Sequence, residues 1–199
     1  MNNEKIQVTW IKKSNDKILG IEKVRMSIPD RIIVESLSVG FLNELESFSL
    51  EYHISCDKTF ENQQFMLKCV HYNPSSTRPV EINSLYLTYE NDDWMSNRNS
   101  ELHKIANSAR FVDISSTPLT NYFPINEMLR RGSKKETFNV IYIKVPTLET
   151  SILTQTYELI GPKKFRYINE DSKYKCIVYV DDRGLVTRYD NIWEGTIEN

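Results

Sequence analysis

The most regular feature of the chain is an alternation of apolar and polar residues with a period of two. Between Phe48 and Cys56 every second residue is apolar or aromatic, and the residues between them are Ser, Glu, His and Ser. Successive side chains of a strand point to opposite faces of the sheet. The segment is therefore predicted to be a strand with one buried face and one solvent-facing side.

Three further segments show the same alternation, each bounded by Asn, Asp, Pro or Ser clusters. The apolar positions predicted to share a buried face are Phe65, Leu67 and Cys69; Leu85, Leu87 and Tyr89; and Ile33, Leu37 and Val39. Short alternating strands joined by polar turns are typical of an antiparallel sheet.

Two later segments extend this prediction. Alternating residues from Tyr174 to Val180 lead to a turn at Gly184, and extended chain resumes up to Tyr189, which predicts a hairpin. Residues 138–145 are apolar or aromatic on both faces, as in a central strand that is covered on both sides. The sheet must therefore curve or be covered at this point.

Helical signals are few. Ile125–Arg131 is predicted to form one or two turns before Gly132, and Asn99–Asn107 carries apolar residues at helical spacing. No repeat, low-complexity tract or linker divides the chain, so we expect one mainly β domain over residues 1–199.

Composition and charge narrow the function classes. The net charge is −2, and the short basic clusters around Arg130 and Lys163 are expected to be solvated turns, so no nucleic-acid partner is predicted. No stretch approaches the roughly 18 apolar residues of a membrane span, and the first residues lack the apolar core of a signal peptide. We therefore expect a soluble, cytoplasmic protein without a cofactor.

The cysteines and histidines give little sign of chemistry. Cys56, Cys69 and Cys176 are widely spaced among alternating apolar residues and are expected to be reduced core thiols, with no metal site. On a strand, His53 points away from Cys56 and cannot activate its thiol. Nucleophile-elbow, dinucleotide, phosphate-loop and zinc-protease motifs do not occur.

The least regular segment runs from Asp113 to Ile125 and reads DISSTPLTNYFPI. Two prolines fix φ and remove two backbone donors, so a regular strand is not expected throughout. Polar side chains at Asp113, Thr117, Thr120 and Asn121 would either satisfy the backbone of a rigid crossover or face a ligand, because both roles use the same residue types.

This segment carries a family resemblance. It is similar to a block found in the "Putative glycolipid-binding" family of bacterial proteins. The matching residues are Asp113, Ser115, Thr117, Pro118, Thr120, Asn121, Pro124 and Ile125. Flanking matches follow in the family's order: Trp10, Gly20, Glu22, Tyr52, Cys56, Asp57, Trp94, Gly132, Pro146, Leu148, Gln155, Tyr157, Tyr167, Gly184–Val186, Tyr189 and Trp193. The resemblance spans about residues 10–194.

The chain departs from the family pattern at two places. A Gly-Cys pair expected just before the aspartate is replaced within Ala109–Val112, and the basic residue expected after Pro-Ile is Asn126. The resemblance implies an antiparallel sheet wrapped into a barrel or half-barrel, with an apolar cavity for a glycolipid.

The leading hypothesis is a non-catalytic protein that binds a lipid or glycolipid. The residues expected to bind the ligand are Asp113, Thr117, Thr120, Asn121, Tyr157, Tyr189 and Trp193. The three aromatic residues would stack on a sugar or close the core. An alternative is a structural or protein-interaction β module without a ligand, and a third is a hydrolase or isomerase that uses Asp113. The sequence does not predict an oligomeric state.

Overall fold

The computed structural model describes residues 5–28, 30–97, 102–106, 108–190 and 192–198. Strands dominate, accompanied by a 3₁₀ helix at Leu119–Asn121 and the α-helix α1 at Tyr122–Arg131. The strands are β1 (Lys5–Ser14), β2 (Lys17–Ser27), β3 (Arg31–Phe41), β4 (Ser47–Asp57), β5 (Gln63–Tyr72), β6 (Val80–Glu90), β7 (Asp93–Asn97), β8 (Leu102–Ala106), β9 (Phe111–Ile114), β10 (Lys135–Lys144), β11 (Glu149–Gly161), β12 (Lys164–Asn169), β13 (Lys175–Val180), β14 (Val186–Tyr189) and β15 (Trp193–Glu198).

In the described ranges all fifteen strands belong to one sheet. Its order is β8-β7-β6-β5-β4-β3-β2-β1-β15-β14-β13-β12-β11-β10-β9. Neighbouring strands are antiparallel, except that β9 and β10 are parallel. The 3₁₀ helix and α1 form the crossover that this parallel pair requires. The predicted class, a mainly β antiparallel sheet of barrel-like shape with little helix, is confirmed.

The alternation in β4 through β6 is confirmed by burial. Phe48, Leu50, Tyr52, Ile54 and Cys56 are buried, and the residues between them are partly or fully exposed. The same holds for the apolar positions of β5 and β6. One face of the sheet therefore lines a continuous core.

In β3 the predicted buried face is wrong. Ile33, Leu37 and Val39 are 37%, 51% and 47% exposed, whereas Ile32 and Val34 are buried on the opposite face. Ser36 and Ser38 also lie on this inner face, where Ser36 donates a hydrogen bond of 2.9 Å to the Glu22 carboxyl. The alternating residues Ile33, Leu37 and Val39 therefore lie on the outer face of this strand.

The helix packs inside the curved sheet. Phe123, Ile125 and Met128 are fully buried, and the Phe123 ring lies 5.8 Å from Phe60 and 6.2 Å from Phe65. Its C-terminus is capped by Gly132 at φ 67°, as the predicted end requires. The second predicted helix is wrong where the structure describes it, since Leu102–Ala106 is strand β8; residues 99–101 and 107 lie outside the described ranges.

The edge strands β8 and β9 follow each other in the chain but lie at opposite ends of the sheet order. Hydrogen bonds from β7 and β5 to the segment that connects β8 with β9 hold the two edges near each other. Trp94 Nε1 donates to the carbonyl of Ala109 at 2.9 Å, and Gln63 Nε2 donates to that of Arg110 at 3.1 Å. The sheet is therefore wrapped but not closed by strand pairing.

Strand β10 lies next to the edge strand β9 and is not central, as residues 138–145 had been predicted to be. Both of its faces are nevertheless largely covered: Phe138 and Val140 are buried on one face, and Ile141 and Ile143 on the other. The predicted C-terminal hairpin is confirmed by the antiparallel pairing of β13 with β14 around Gly184, whose φ is 79°.

Candidate functional site

The irregular segment forms the wall of a pocket on the inner side of the sheet. Asp113 stands in β9, directly opposite Tyr142 of β10 in the parallel register. The chain then turns through the 3₁₀ helix into α1, which brings Thr117 and Asn121 back beside β9. The parallel pairing of β9 with β10 thus fixes the face of the sheet on which the Asp113 side chain stands.

The Asp113 carboxyl is held by two donors. Thr120 Oγ1 donates to Oδ1 at 3.0 Å, and Gln155 Nε2 donates to Oδ2 at 2.6 Å. Burial raises the pKa of Asp113 above its usual value, and these two hydrogen bonds partly offset that rise. Because Thr120 Oγ1 also accepts the backbone N–H of Ile114 at 3.3 Å, the carboxyl is fixed relative to its own strand.

Asn121 is positioned from behind by Tyr157. The Tyr157 hydroxyl donates to Asn121 Oδ1 at 2.9 Å, and Asn121 Nδ2 donates to the carbonyl of Pro118 at 3.1 Å. Tyr157 is 1% exposed, and burial raises the pKa of its hydroxyl well above the usual value. Tyr157 therefore acts as a support for the pocket wall.

Thr117 connects the pocket to the opposite part of the sheet. Its hydroxyl oxygen accepts the backbone N–H of Leu119 at 3.0 Å and lies 3.2 Å from the Tyr52 hydroxyl. The Tyr52 hydroxyl in turn donates to Glu22 Oε1 at 2.5 Å. Burial raises the pKa of Glu22 to about 7, although hydrogen bonds from Tyr52 and Ser36 lower it.

The pocket has a volume of about 480 Å³, within the roughly 300–1,000 Å³ common for small-molecule sites. Its wall is amphipathic, with five aromatic side chains among carboxyl, amide, hydroxyl and aliphatic groups. The lining residues are Lys12, Asp113, Ile114, Ser115, Thr117, Pro118, Asn121, Tyr142, Leu153, Tyr167, Asn169, Asp171, Ser172, Tyr174, Tyr189, Ile192 and Trp193.

The aromatic rings of the wall pack against one another. The Tyr167 ring centroid lies 6.3 Å from that of Tyr174 and 6.1 Å from that of Tyr189, within the range of favourable aromatic pairs. Lys12 Nζ lies 5.8 Å from the centroid of the Trp193 ring. Burial lowers the pKa of this amine.

The structure brings the seven predicted ligand-binding residues together. Asp113, Thr117, Asn121, Tyr189 and Trp193 line the pocket, while Thr120 and Tyr157 hydrogen-bond to two of them from behind. Thr117, Thr120 and Asn121 also hydrogen-bond to the local backbone, as the crossover role considered for the polar segment requires.

Sequence reasoning missed other members of the wall. Lys12, Tyr142, Tyr167, Asn169, Asp171 and Tyr174 were not selected. One signal was available for Lys12, which is in phase with the buried residues Val8 and Trp10 of its strand. The tyrosines carry no such signal, because an aromatic residue at an inward position is as well explained by the core.

The described residues also form a second concave surface, on the other side of the sheet. A larger concavity, of about 640 Å³, lies on the outer side of β2–β5 among charged side chains such as Lys23, Glu35, Glu51 and Lys68. Within the described ranges no group of three His, Cys, Asp or Glu is placed to hold a metal ion. No α-helix there is long and apolar enough to cross a bilayer.

A wrapped antiparallel sheet with an inward, amphipathic pocket defines the class of this protein as a barrel-like β protein. The chain belongs to the family described as "Putative glycolipid-binding", whose model matches residues 7–195. No curated protein matches it.

Two solved structures share the fold. A crystal structure of a DUF1089 family protein from Pseudomonas aeruginosa is 22% identical, with 91% of this chain and 94% of that chain covered and a TM-score of 0.73. A beta-barrel-like protein of the domain of unknown function DUF1849 from Brucella abortus is 8% identical, with 98% and 96% covered and a TM-score of 0.57.

Proposed function

We propose that the protein binds a glycolipid or a similar amphiphile without catalysis, with the sugar headgroup in the inner pocket. The observation that carries the proposal is the convergence of the 113–121 polar block and five aromatic side chains on one pocket of about 480 Å³. Family membership supports the same ligand class.

The chemistry of the wall suits a sugar. Sugar rings present hydroxyl groups at their edges and C–H groups on their faces, so they pair with fixed polar groups and with flat aromatic surfaces. Asp113 and Asn121 are held by internal hydrogen bonds, which reduces the ordering cost of binding. Tyr189 and Trp193 supply the aromatic surface next to them.

The lipid part of the ligand has less room than the apolar cavity that the family resemblance implies. The interior of the sheet is filled by its own side chains, including Trp10, Phe65 and Phe123, and the pocket is amphipathic instead of wholly apolar. Ile114, Leu153 and Ile192 offer aliphatic contact for the first methylenes of a tail. Each buried methylene contributes about 0.8 kcal/mol.

The non-catalytic part of the proposal rests on the state of the carboxyl. Both Asp113 oxygens accept hydrogen bonds, one from a hydroxyl and one from an amide donor, which leaves the group suited to orient a ligand. No His or Cys is among the described residues that line the pocket. We further propose a cytoplasmic location, supported by three cysteines that are buried and unpaired.

The direct test has two arms. The purified protein is extracted with organic solvent and analysed by mass spectrometry for a bound amphiphile, and octyl glucoside below its micellar concentration is titrated by calorimetry. We expect saturable binding. Finding neither a copurified amphiphile nor saturable binding would contradict the proposal and favour the protein-interaction alternative.

A variant locates the binding. Tyr174 lines the pocket and is 42% exposed, so Tyr174→Ala should leave the fold intact. We expect octyl glucoside affinity to fall about twofold to twelvefold, as the loss of an aromatic contact of about 0.5–1.5 kcal/mol requires. The matched control is Tyr72→Ala, at a tyrosine 47% exposed that does not line the pocket, and its affinity should be unchanged.

A further inference from the structure

Lys12 is a cation on the inner side of the sheet. The inward residues of β1 before it, Ile6, Val8 and Trp10, are buried and apolar. Lys12 continues this alternation, is partly buried and lines the pocket. Its amine therefore belongs to the pocket wall, unlike that of Lys13, which forms an ion pair with Glu194.

Nothing near Lys12 in the described chain neutralises its charge. Its partners in the strand register are Gly20 on β2 and Trp193 on β15. Apart from the Trp193 ring, the amine makes no hydrogen bond or ion pair with another described residue. A partly desolvated amine without an anion is unfavourable, and such groups concentrate at functional sites.

Neither of the two acids of the same wall forms an ion pair with Lys12, and both are held by neutral donors. Asp113 accepts from Thr120 and Gln155, and Asp171 Oδ2 accepts the backbone N–H of Thr154 at 2.8 Å. The described pocket thus has one amine that lacks an internal anionic partner. A ligand with an anionic group would supply the missing partner of the Lys12 amine.

We propose that the headgroup recognised by this pocket is an acidic sugar, carrying a carboxylate or a phosphate that pairs with Lys12 while the sugar face lies against Trp193. The inference rests on the proposed binding function and narrows its ligand class. A charge-assisted hydrogen bond in a partly desolvated site is stronger than a neutral one, so the anion gives selectivity over neutral sugars.

The test compares amphiphiles that share one octyl chain and one sugar ring: octyl glucoside, octyl glucuronide and octyl glucoside 6-phosphate. Each is titrated by calorimetry, below its micellar concentration, into the full chain, Lys12→Gln and Lys13→Gln. The carboxylate and phosphate arms identify which anion fits. Lys13 is the matched control, because it precedes the same strand end and faces outward.

We expect the unaltered chain to bind at least one acidic amphiphile about tenfold more tightly than octyl glucoside. Lys12→Gln should abolish this preference, so that its affinities for the acidic and the neutral amphiphiles agree within about twofold, and Lys13→Gln should retain the preference. Thermal unfolding of each variant verifies the fold.

Two other outcomes overturn the inference in distinguishable ways. Equal affinity for neutral and acidic amphiphiles in the unaltered chain, or a preference that survives in Lys12→Gln, refutes the acidic-sugar assignment and leaves the proposed binding function standing. Absence of saturable binding by all three amphiphiles refutes both together.

Discussion

Glu22 shows what a single buried acid does to this sheet. It lies on the inner face of β2, is fully buried, and accepts hydrogen bonds from Tyr52 and Ser36 through Oε1. Its Oε2 has no partner among the described residues. The protonated form is therefore favoured, and the pKa rises to about 7.

This raised pKa predicts a pH dependence of stability. The folded protein retains a proton on Glu22 that the unfolded chain releases at lower pH, so the stabilisation is full below about pH 4.5 and is lost as the pH rises through about 7. The loss amounts to about 3 kcal/mol in the free energy of unfolding. The Glu22→Gln variant has no titrating group at this position, so its free energy of unfolding should lack this decrease with rising pH.

Urea unfolding at several pH values between 4.5 and 8 measures the difference between the unaltered chain and Glu22→Gln. Asp113, whose pKa is also raised, titrates in both proteins and cancels in this difference. Parallel pH profiles for the two proteins would show that Glu22 is not protonated in the folded state.

At the scale of the element, the alternation of apolar and polar residues predicted the strands. It did not predict which strands pair across long distances in the sequence. The period of two correctly assigned β4, β5 and the β13–β14 hairpin, because burial on one face imposes it. It failed at β3, where Ser36 donates to Glu22 on the inner face and Ile33, Leu37 and Val39 face out. Which face of a strand is buried depends on the residues that pack against it in the fold, and the sequence alone does not identify them.

The candidate site was predictable to a similar extent. The breakers of residues 113–125 marked an unusual segment, and the structure places its polar residues at one pocket. Tyr142, Tyr167 and Lys12 join that pocket through strand neighbours distant in the sequence, such as the parallel β9–β10 pair. Nothing local distinguishes the two tyrosines from core positions, whereas Lys12 is marked by its phase with the buried residues of β1.

Gln63 tests how the open sheet is held near its two edge strands. This fully buried residue of β5 donates from Nε2 to the carbonyls of Phe60 and Arg110, at 2.7 and 3.1 Å. Gln63→Leu preserves the approximate volume but leaves both carbonyls without that donor. We expect the free energy of unfolding to fall by about 1–3 kcal/mol.

The matched control is Gln64→Leu, at the exposed neighbour on the opposite face of the same strand. Urea denaturation of both variants should show a lower midpoint for Gln63→Leu alone. Equal midpoints would mean that these two hydrogen bonds contribute nothing to the stability of the wrapped sheet.

At the scale of the whole molecule, the sheet has an inner pocket and a larger outer concavity. The inner pocket is lined from β9, the crossover, β10–β12, the loop between β12 and β13, and β14–β15, with Lys12 from β1. The outer concavity is lined from β2–β5. Binding at one of them should therefore slow hydrogen exchange in a separate part of the chain, because a ligand stabilises the segments that it contacts.

With saturating octyl glucoside below its micellar concentration, we expect slower amide exchange in residues 113–121 and 167–174, measured by mass spectrometry of peptic peptides. These ranges contain Asp113, Asn121, Asp171 and Tyr174, which line the inner pocket from two sides. Peptides within residues 31–57, which carry Glu35, Glu51 and His53 of the outer concavity, should exchange as in the free protein. The reverse pattern would move the binding site to the outer surface, since volume alone favours the outer concavity while the fixed polar groups and aromatic rings favour the inner pocket.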